Sequence, residues 1–191
     1  MVNNKPTVIF FHGNSGNIGN RLEFIRNYVI HANVNVLIVG YRGYSLSTGI
    51  PSCQGLKIDG FSVLTYALCS QSFFQKTKVL MHGTSLGAGV TLNTLASSPL
   101  AQKLKGFIIE NTFTSLGDMA DMLYPKLKIF RRLILRNFWD NDQYVKRLPK
   151  HLNALFITGK KDEITPTHML KSIFQDCTLE NKSLMLSLIH I

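Results

Sequence analysis

The chain has 191 residues, 45% hydrophobic and 17% charged, with a formal net charge of +10. That is one domain's worth of sequence with enough apolar content for a sizeable core, which excludes the intrinsically disordered class. No apolar run reaches the roughly 18 residues needed to span a bilayer, the polar start Met1–Pro6 reads as no signal peptide, and the positive charge alone does not choose between nucleic acid, an anionic membrane and simple solubility.

In chain order, Thr7–Phe11 is a continuous apolar run closed by His12-Gly13, as expected of a strand buried on both faces. Asn35–Val39, Lys78–Met81, Phe107–Ile109 and Ala154–Thr158 repeat the pattern, and Ser183–Ile191 is a sixth candidate. Helical patterns near 20–31, 54–70, 86–97 and 166–176 fall between them, which predicts one domain built on a parallel α/β sheet. The segment from 112 to 150 breaks this rhythm and carries eight Lys and Arg residues between Lys126 and Lys150. Such an insertion is predicted to form a short helical cap over the carboxyl ends of the strands, where ligands bind in sheets of this kind. Within it, Lys126–Trp139 is basic and amphipathic. It fits a cap helix laying its apolar side on the cleft, and it also fits a helix resting on an anionic membrane surface. Cys53, Cys69 and Cys177 follow neither metal-ligand nor disulfide spacing, so they read as reduced structural thiols, which leans towards a cytosolic face.

Gly83-Thr84-Ser85-Leu86-Gly87 is Gly-x-Ser-x-Gly directly after an apolar strand and at the start of a helix, the setting of a nucleophile elbow. Glycines are needed there because the turn strains the serine backbone and brings strand and helix close. The alternative is a glycine-rich turn with an idle serine. Acyl transfer also needs two backbone N–H groups aimed at the developing oxyanion. One is expected from Leu86 and the other from Asn14, in the glycine-rich loop after the first strand. A phosphate-binding reading of that loop lacks both Gly-x-Gly-x-x-Gly and Gly-Lys-[Ser/Thr]. His12, at the end of the strand, reads as a brace for the loop rather than a base. Asp162, in Gly159–Pro166 after the fifth strand, fits the acid that orients an imidazole; a solvated turn aspartate is the rival reading. Arg42 is expected to pair with a carboxylate and hold its loop, with the Tyr41–Tyr44 stretch as a wall of the substrate cleft being the rival reading; Asp59 is expected to be solvated or capping, and Glu110 and Asn111 to lie near the cap, where either could face substrate.

His-Gly-Asn-x-Gly-Asn at 12–17, Tyr-Arg-Gly-Tyr at 41–44, Gly-x-Ser-Leu-Gly at 83–87, Glu-Asn-Thr-Phe at 110–113 and Gly-x-x-Asp at 159–162 occur together and in order. As a set spanning roughly residues 5 to 180, they resemble the α/β-hydrolase superfamily. Within it the resemblance is to the membrane-anchored serine hydrolases grouped with alpha/beta-hydrolase domain-containing protein 13 and the fungal bud-emergence hydrolases. The resemblance implies a three-layer α/β-hydrolase fold and a serine hydrolase of ester, thioester or amide bonds. Ser85 would be its nucleophile and Asp162 its acid, with no metal or organic cofactor and with a membrane anchor.

That family also has an opening β-hairpin before the first strand seen here, and a triad histidine in a Gly-Thr-His-type loop. Neither is found in this sequence, so the expectation is a fragment shortened at both ends that lacks the catalytic histidine and is inactive or weakly active. The one late histidine, His190, is the candidate base by chain order. It lies in Leu186–Ile191, which matches the in-frame translation of a common sequencing adapter and reads as a non-native tail. The sequence therefore predicts a small-molecule or lipid acyl substrate and no nucleic-acid partner, since no binding motif or aromatic platform accompanies the charge. The alternative function is a non-catalytic hydrolase-fold adaptor at a membrane surface.

Overall fold

The structure, a computed structural model, describes residues 4–70, 78–130, 139–162 and 164–188. Six strands form one sheet: β1 (Thr7–Phe11), β2 (Asn35–Ile38), β3 (Val79–Thr84), β4 (Gly106–Glu110), β5 (Asn153–Gly159) and β6 (Lys182–Ser187). All pair in parallel, in the order β2-β1-β3-β4-β5-β6. The chain runs outward from β1 to β2, then crosses back to β3 on the other side of β1. That reversal opens a crevice at the carboxyl ends of β1 and β3, where ligands bind in open α/β sheets.

The helices are α1 (Leu22–Ala32), α2 (Cys53–Cys69), α3 (Leu86–Ser97), α4 (Leu116–Leu123), α5 (Asn141–Val145) and α6 (Thr167–Asp176). Ser52 caps α2 by accepting from Gly55 N, and Ser115 caps α4 by accepting from Asp118 N. Each thereby satisfies an amide that the first turn leaves without a partner. The two faces of the sheet follow from the register. Phe10 pairs with His82, and both rings pack on Phe24 of α1, at 5.1 and 6.0 Å. The next row, Phe11, Gly83, Ile109 and Phe156, points the other way, and Phe156 meets Phe174 of α6 at 5.4 Å. The core lies on this second side, with Ile9, Phe11, Met81, Ile109 and Phe156 at 0% exposure beneath α2, α3, α5 and α6.

β1 has the predicted bounds, but β3 runs to Thr84 rather than stopping at Met81. His82 reads as polar punctuation in the sequence, yet its ring is buried at 3% among Phe10, Phe24 and Tyr28. α6 begins at Thr167, with Pro166 as its cap residue, one place later than expected. Leu186 and Ser187, assigned to the tail, pair with Thr158 and Gly159 at the end of β6.

In the 112–150 segment, an antiparallel bridge between Ser115 and Asp140 brings its two limbs together. α4 and the 3-10 turn Pro125–Phe130 follow the first limb. In the second limb, Asn141, Tyr144, Val145 and Leu148 are buried, with α5 packed on α3 and α6, so this part belongs to the core layer. Residues 131–138, most of the expected basic helix, lie outside the described residues. Its terminal aromatic Trp139 is 1% exposed and faces inward. Among the described residues, no helix is long and apolar enough to cross a membrane.

Candidate active site

Ser85 sits at the junction of β3 and α3 with φ 53° and ψ −116°. A non-glycine residue keeps such a backbone only where its surroundings force it. Three contacts do so. Ser85 N donates to the Glu110 carbonyl at 2.9 Å, the Ser85 carbonyl accepts from Thr112 Oγ1 at 3.0 Å, and it also accepts from Ala88 N at 3.0 Å. The glycines on either side allow the close approach. A Cβ at Gly83 would run into the Gly87 carbonyl, and one at Gly87 would run into the carbonyls of Phe11 and His12. Ser85 makes no side-chain cap on α3. Its hydroxyl stands at the amino end of that helix, where unpaired amides and the helix dipole favour negative charge.

Two cavities meet at Ser85. The first, about 430 Å³, brings together Ser85, Asn14, Asp162, Glu110, Asn111 and Arg21. The second, about 680 Å³, is walled by Leu86, Phe113, Leu116, Met119 and Trp139, again with Ser85 and Asn14. Four of the five sequence-predicted site residues line these adjoining cavities: Ser85 and Asn14 line both, Asp162 the first and Leu86 the second. The fifth, His190, lies outside the described residues. Among the described residues, no histidine lines either cavity. The carboxyl end of β6 lies beside the loop of Asp162, since Lys160 N donates to the Ser187 carbonyl at 2.9 Å.

Asp162 is held by its own turn. Oδ1 accepts from Ile164 N at 2.9 Å and Thr165 N at 2.8 Å, and Oδ2 accepts from Thr165 Oγ1 at 2.8 Å. A carboxylate has about four acceptor positions, so these three bonds leave one, on Oδ2, for a further donor. The turn is fastened to its neighbours at both ends. Gly159 N donates to Asn111 Oδ1 at 3.0 Å, and Thr167 Oγ1 donates to the Gly159 carbonyl at 2.7 Å.

The loop after β1 is braced from beneath. The buried His12 ring donates from Nδ1 to the Gly13 carbonyl at 2.7 Å, and its own carbonyl accepts from Tyr41 at 2.7 Å. Burial pushes the His12 pKa below its ordinary 6.5, against the opposing pull of that carbonyl, and the nearby Arg21 charge pushes the same way. Asn14 Oδ1 accepts from Tyr44 at 2.5 Å, which ties the loop to the one after β2.

Arg42 does not face the crevice. It holds Asp59 of α2 through Nε at 3.0 Å and Nη2 at 2.7 Å, while its backbone N donates to the same carboxylate at 3.1 Å. Asp59 is therefore neither solvated nor a cap but the anchor of the Tyr41–Tyr44 loop. Sequence reasoning placed Asn111 only near the cap and gave no role to Thr112 or Thr165. Thr165 fixes the acid, Thr112 holds the elbow, and Asn111 clamps β4 to β5 from a left-handed backbone at φ 41°. Only Asn111 left a trace in the sequence, as an asparagine, a residue that tolerates that conformation, at the end of a strand.

No family model matches the chain. Among curated proteins, it is 36% identical over 173 residues to protein bem46 of Schizosaccharomyces pombe, covering 91% of this chain and 56% of that protein. It is 33% identical over 187 residues to the alpha/beta hydrolase domain-containing protein WAV2 of Arabidopsis thaliana, covering 92% of this chain and 59% of that one. The chain thus spans less than two thirds of the length of these relatives. Among solved structures, an alpha-beta hydrolase from Vibrio vulnificus matches with a TM-score of 0.79 at 19% identity, over 95% of this chain and 66% of that one. Sequence similarity at this level, together with the shared three-layer fold, means that the chain belongs to the α/β-hydrolase superfamily.

Proposed function

We propose that the chain is the core of a serine hydrolase that cleaves an ester or related acyl bond through an acyl-enzyme at Ser85. The observation that carries this reading is the strained Ser85 backbone at φ 53°, on a cavity wall shared with Asp162. Ser85 Oγ attacks the acyl carbon while an imidazole, oriented by the remaining acceptor position of Asp162, takes its proton. The N–H groups of Leu86 and Asn14 hold the oxyanion. When the tetrahedral centre collapses, the bond to the leaving group breaks and the imidazole returns the proton to the departing oxygen, sulfur or nitrogen. Water then repeats the sequence on the acyl-enzyme, releasing the acid and regenerating the Ser85 hydroxyl. His190, in the stretch that reads as a non-native tail, is the candidate base to be tested, and the imidazole of this mechanism belongs to the parent protein.

The test is covalent capture with a fluorophosphonate probe. A weak adduct is expected on the peptide containing Ser85, is lost in Ser85→Ala, and weakens further in Asp162→Asn. Loss in His190→Ala assigns the base to that residue, whereas unchanged labelling shows that His190 is not the base. A folded chain that forms no adduct at Ser85 from neutral to alkaline pH overturns the reading.

A further inference from the structure

The two cavities that meet at Ser85 differ in chemistry. The first presents the carboxylates of Glu110 and Asp162 and the guanidinium of Arg21. The second is larger and is lined by no charged side chain, running from Ser85 to Trp139 and Phe113, which are 1% and 4% exposed, and along the inner side of α4. Three of its polar side chains already have partners. Tyr44 donates to Asn14 Oδ1, Ser52 Oγ accepts from Gly55 N, and Thr165 Oγ1 donates to Asp162. A sugar or peptide pressed against that wall would give up bonds to water and find few replacements, which is costly. An alkyl chain loses nothing and leaves water.

Resting on the reading of Ser85 as nucleophile, we infer that this second cavity is an acyl-chain pocket, so that the substrate is an ester or thioester of an aliphatic carboxylic acid. The acyl chain lies along α4 with its tail towards Trp139 and Phe113. The leaving group departs on the side of Arg21 and Glu110. Met119, unbranched and deformable, lets the wall adapt to chains of different length. Leu123 and Tyr124, 57% and 62% exposed, form an apolar lip where the chain enters.

Trp139 is the single tryptophan of the protein, so its fluorescence reports on this cavity. The experiment titrates the intact chain with 12-bromododecanoate, 10-bromodecanoate and 8-bromooctanoate, each below its micellar concentration, and reads quenching of Trp139 by the terminal bromine. Saturable quenching is expected, with affinity rising about fourfold per added methylene, the equivalent of ~0.8 kcal/mol at room temperature. Ala120→Phe, which fills the cavity from α4, is expected to weaken dodecanoate binding at least tenfold while leaving the thermal melt in place. Absent quenching, or quenching independent of chain length and unaffected by Ala120→Phe, overturns the inference. Fatty-acid binding requires no reaction, so it and the Ser85 adduct fail separately. Binding without adduct leaves the pocket and removes the nucleophile; adduct without binding does the reverse.

Discussion

The side-chain carbonyl of Asn111 accepts a hydrogen bond at 3.0 Å from the backbone N–H of Gly159, and Asn111 N donates at 3.0 Å to the Ile157 carbonyl. One buried residue thereby joins the end of β4, which holds the elbow through Glu110, to the end of β5, which carries Asp162. Asn111→Ala would leave Gly159 N buried without its acceptor, a loss of about 1–3 kcal/mol. A urea titration should show that loss, and fluorophosphonate labelling should fall further than Ser85 accessibility alone explains. Wild-type stability in this variant would mean that the clamp does not hold the two strand ends.

Ser85 stores strain of about 1–3 kcal/mol in its positive-φ backbone. Glycine relieves that strain but gives back about 0.5–1 kcal/mol in chain entropy. Ser85→Gly is therefore expected to be more stable than the parent by about 1 kcal/mol, and Ser85→Ala, which keeps the Cβ, to show no such gain. Paired urea midpoints decide it, and equal midpoints for the two variants would remove the strain argument.

Gly87 and Gly89 lie one half-turn apart on α3 but face different neighbours. A Cβ at Gly87 meets the backbone of β1, whereas one at Gly89 meets only side chains, Asn141 Oδ1 at 3.3 Å and Trp139 at 3.4 Å. Gly87→Ala should cost at least the about 1–3 kcal/mol of an overpacked core, because the strand backbone cannot turn aside. Gly89→Ala should be close to neutral, since better helix propensity of up to about 1 kcal/mol offsets the tight fit. Thermal melts of the two variants should differ clearly; matching values would contradict the close strand–helix approach.

His12 makes stability depend on pH. Its folded pKa lies below 6.5 because burial disfavours the imidazolium. As pH falls through 6.5, the unfolded chain takes up a proton that the folded chain resists, so the unfolded state binds more protons and stability falls with acidification. Melting temperature should therefore drop between neutral pH and about pH 5, and His12→Asn should flatten that slope. An unchanged slope in the variant would assign the acid sensitivity to other groups.

Much of this arrangement is local and was legible in the chain itself. Thr7–Phe11 is a strand with its predicted bounds because a five-residue apolar run between a polar start and His12-Gly13 has no other stable use. The elbow was legible because its glycine spacing and the strand–turn–helix sequence are set within a dozen residues. Asp162 could be singled out because it lies in the loop after the fifth strand, where chain order puts the acid, and the turn that holds it is local, with hydrogen-bond partners all within three residues.

What lay beyond the sequence depends on which distant residues the strand order brings together. Arg42 demanded a carboxylate, but only the packing of α2 against the loop after β2 made that carboxylate Asp59. His82 looked like the end of a strand until α1 supplied the rings of Phe24 and Tyr28 that bury it. Trp139 closes a basic amphipathic stretch, and its hydrophobicity alone does not distinguish a lipid layer from an interior. The bridge between Ser115 and Asp140 turns it inward, against the cavity that ends at Ser85. Local periodicity determined the elements, whereas contacts between strand ends far apart in sequence decided the chemistry of the two cavities, because the crossover from β2 to β3 places them side by side.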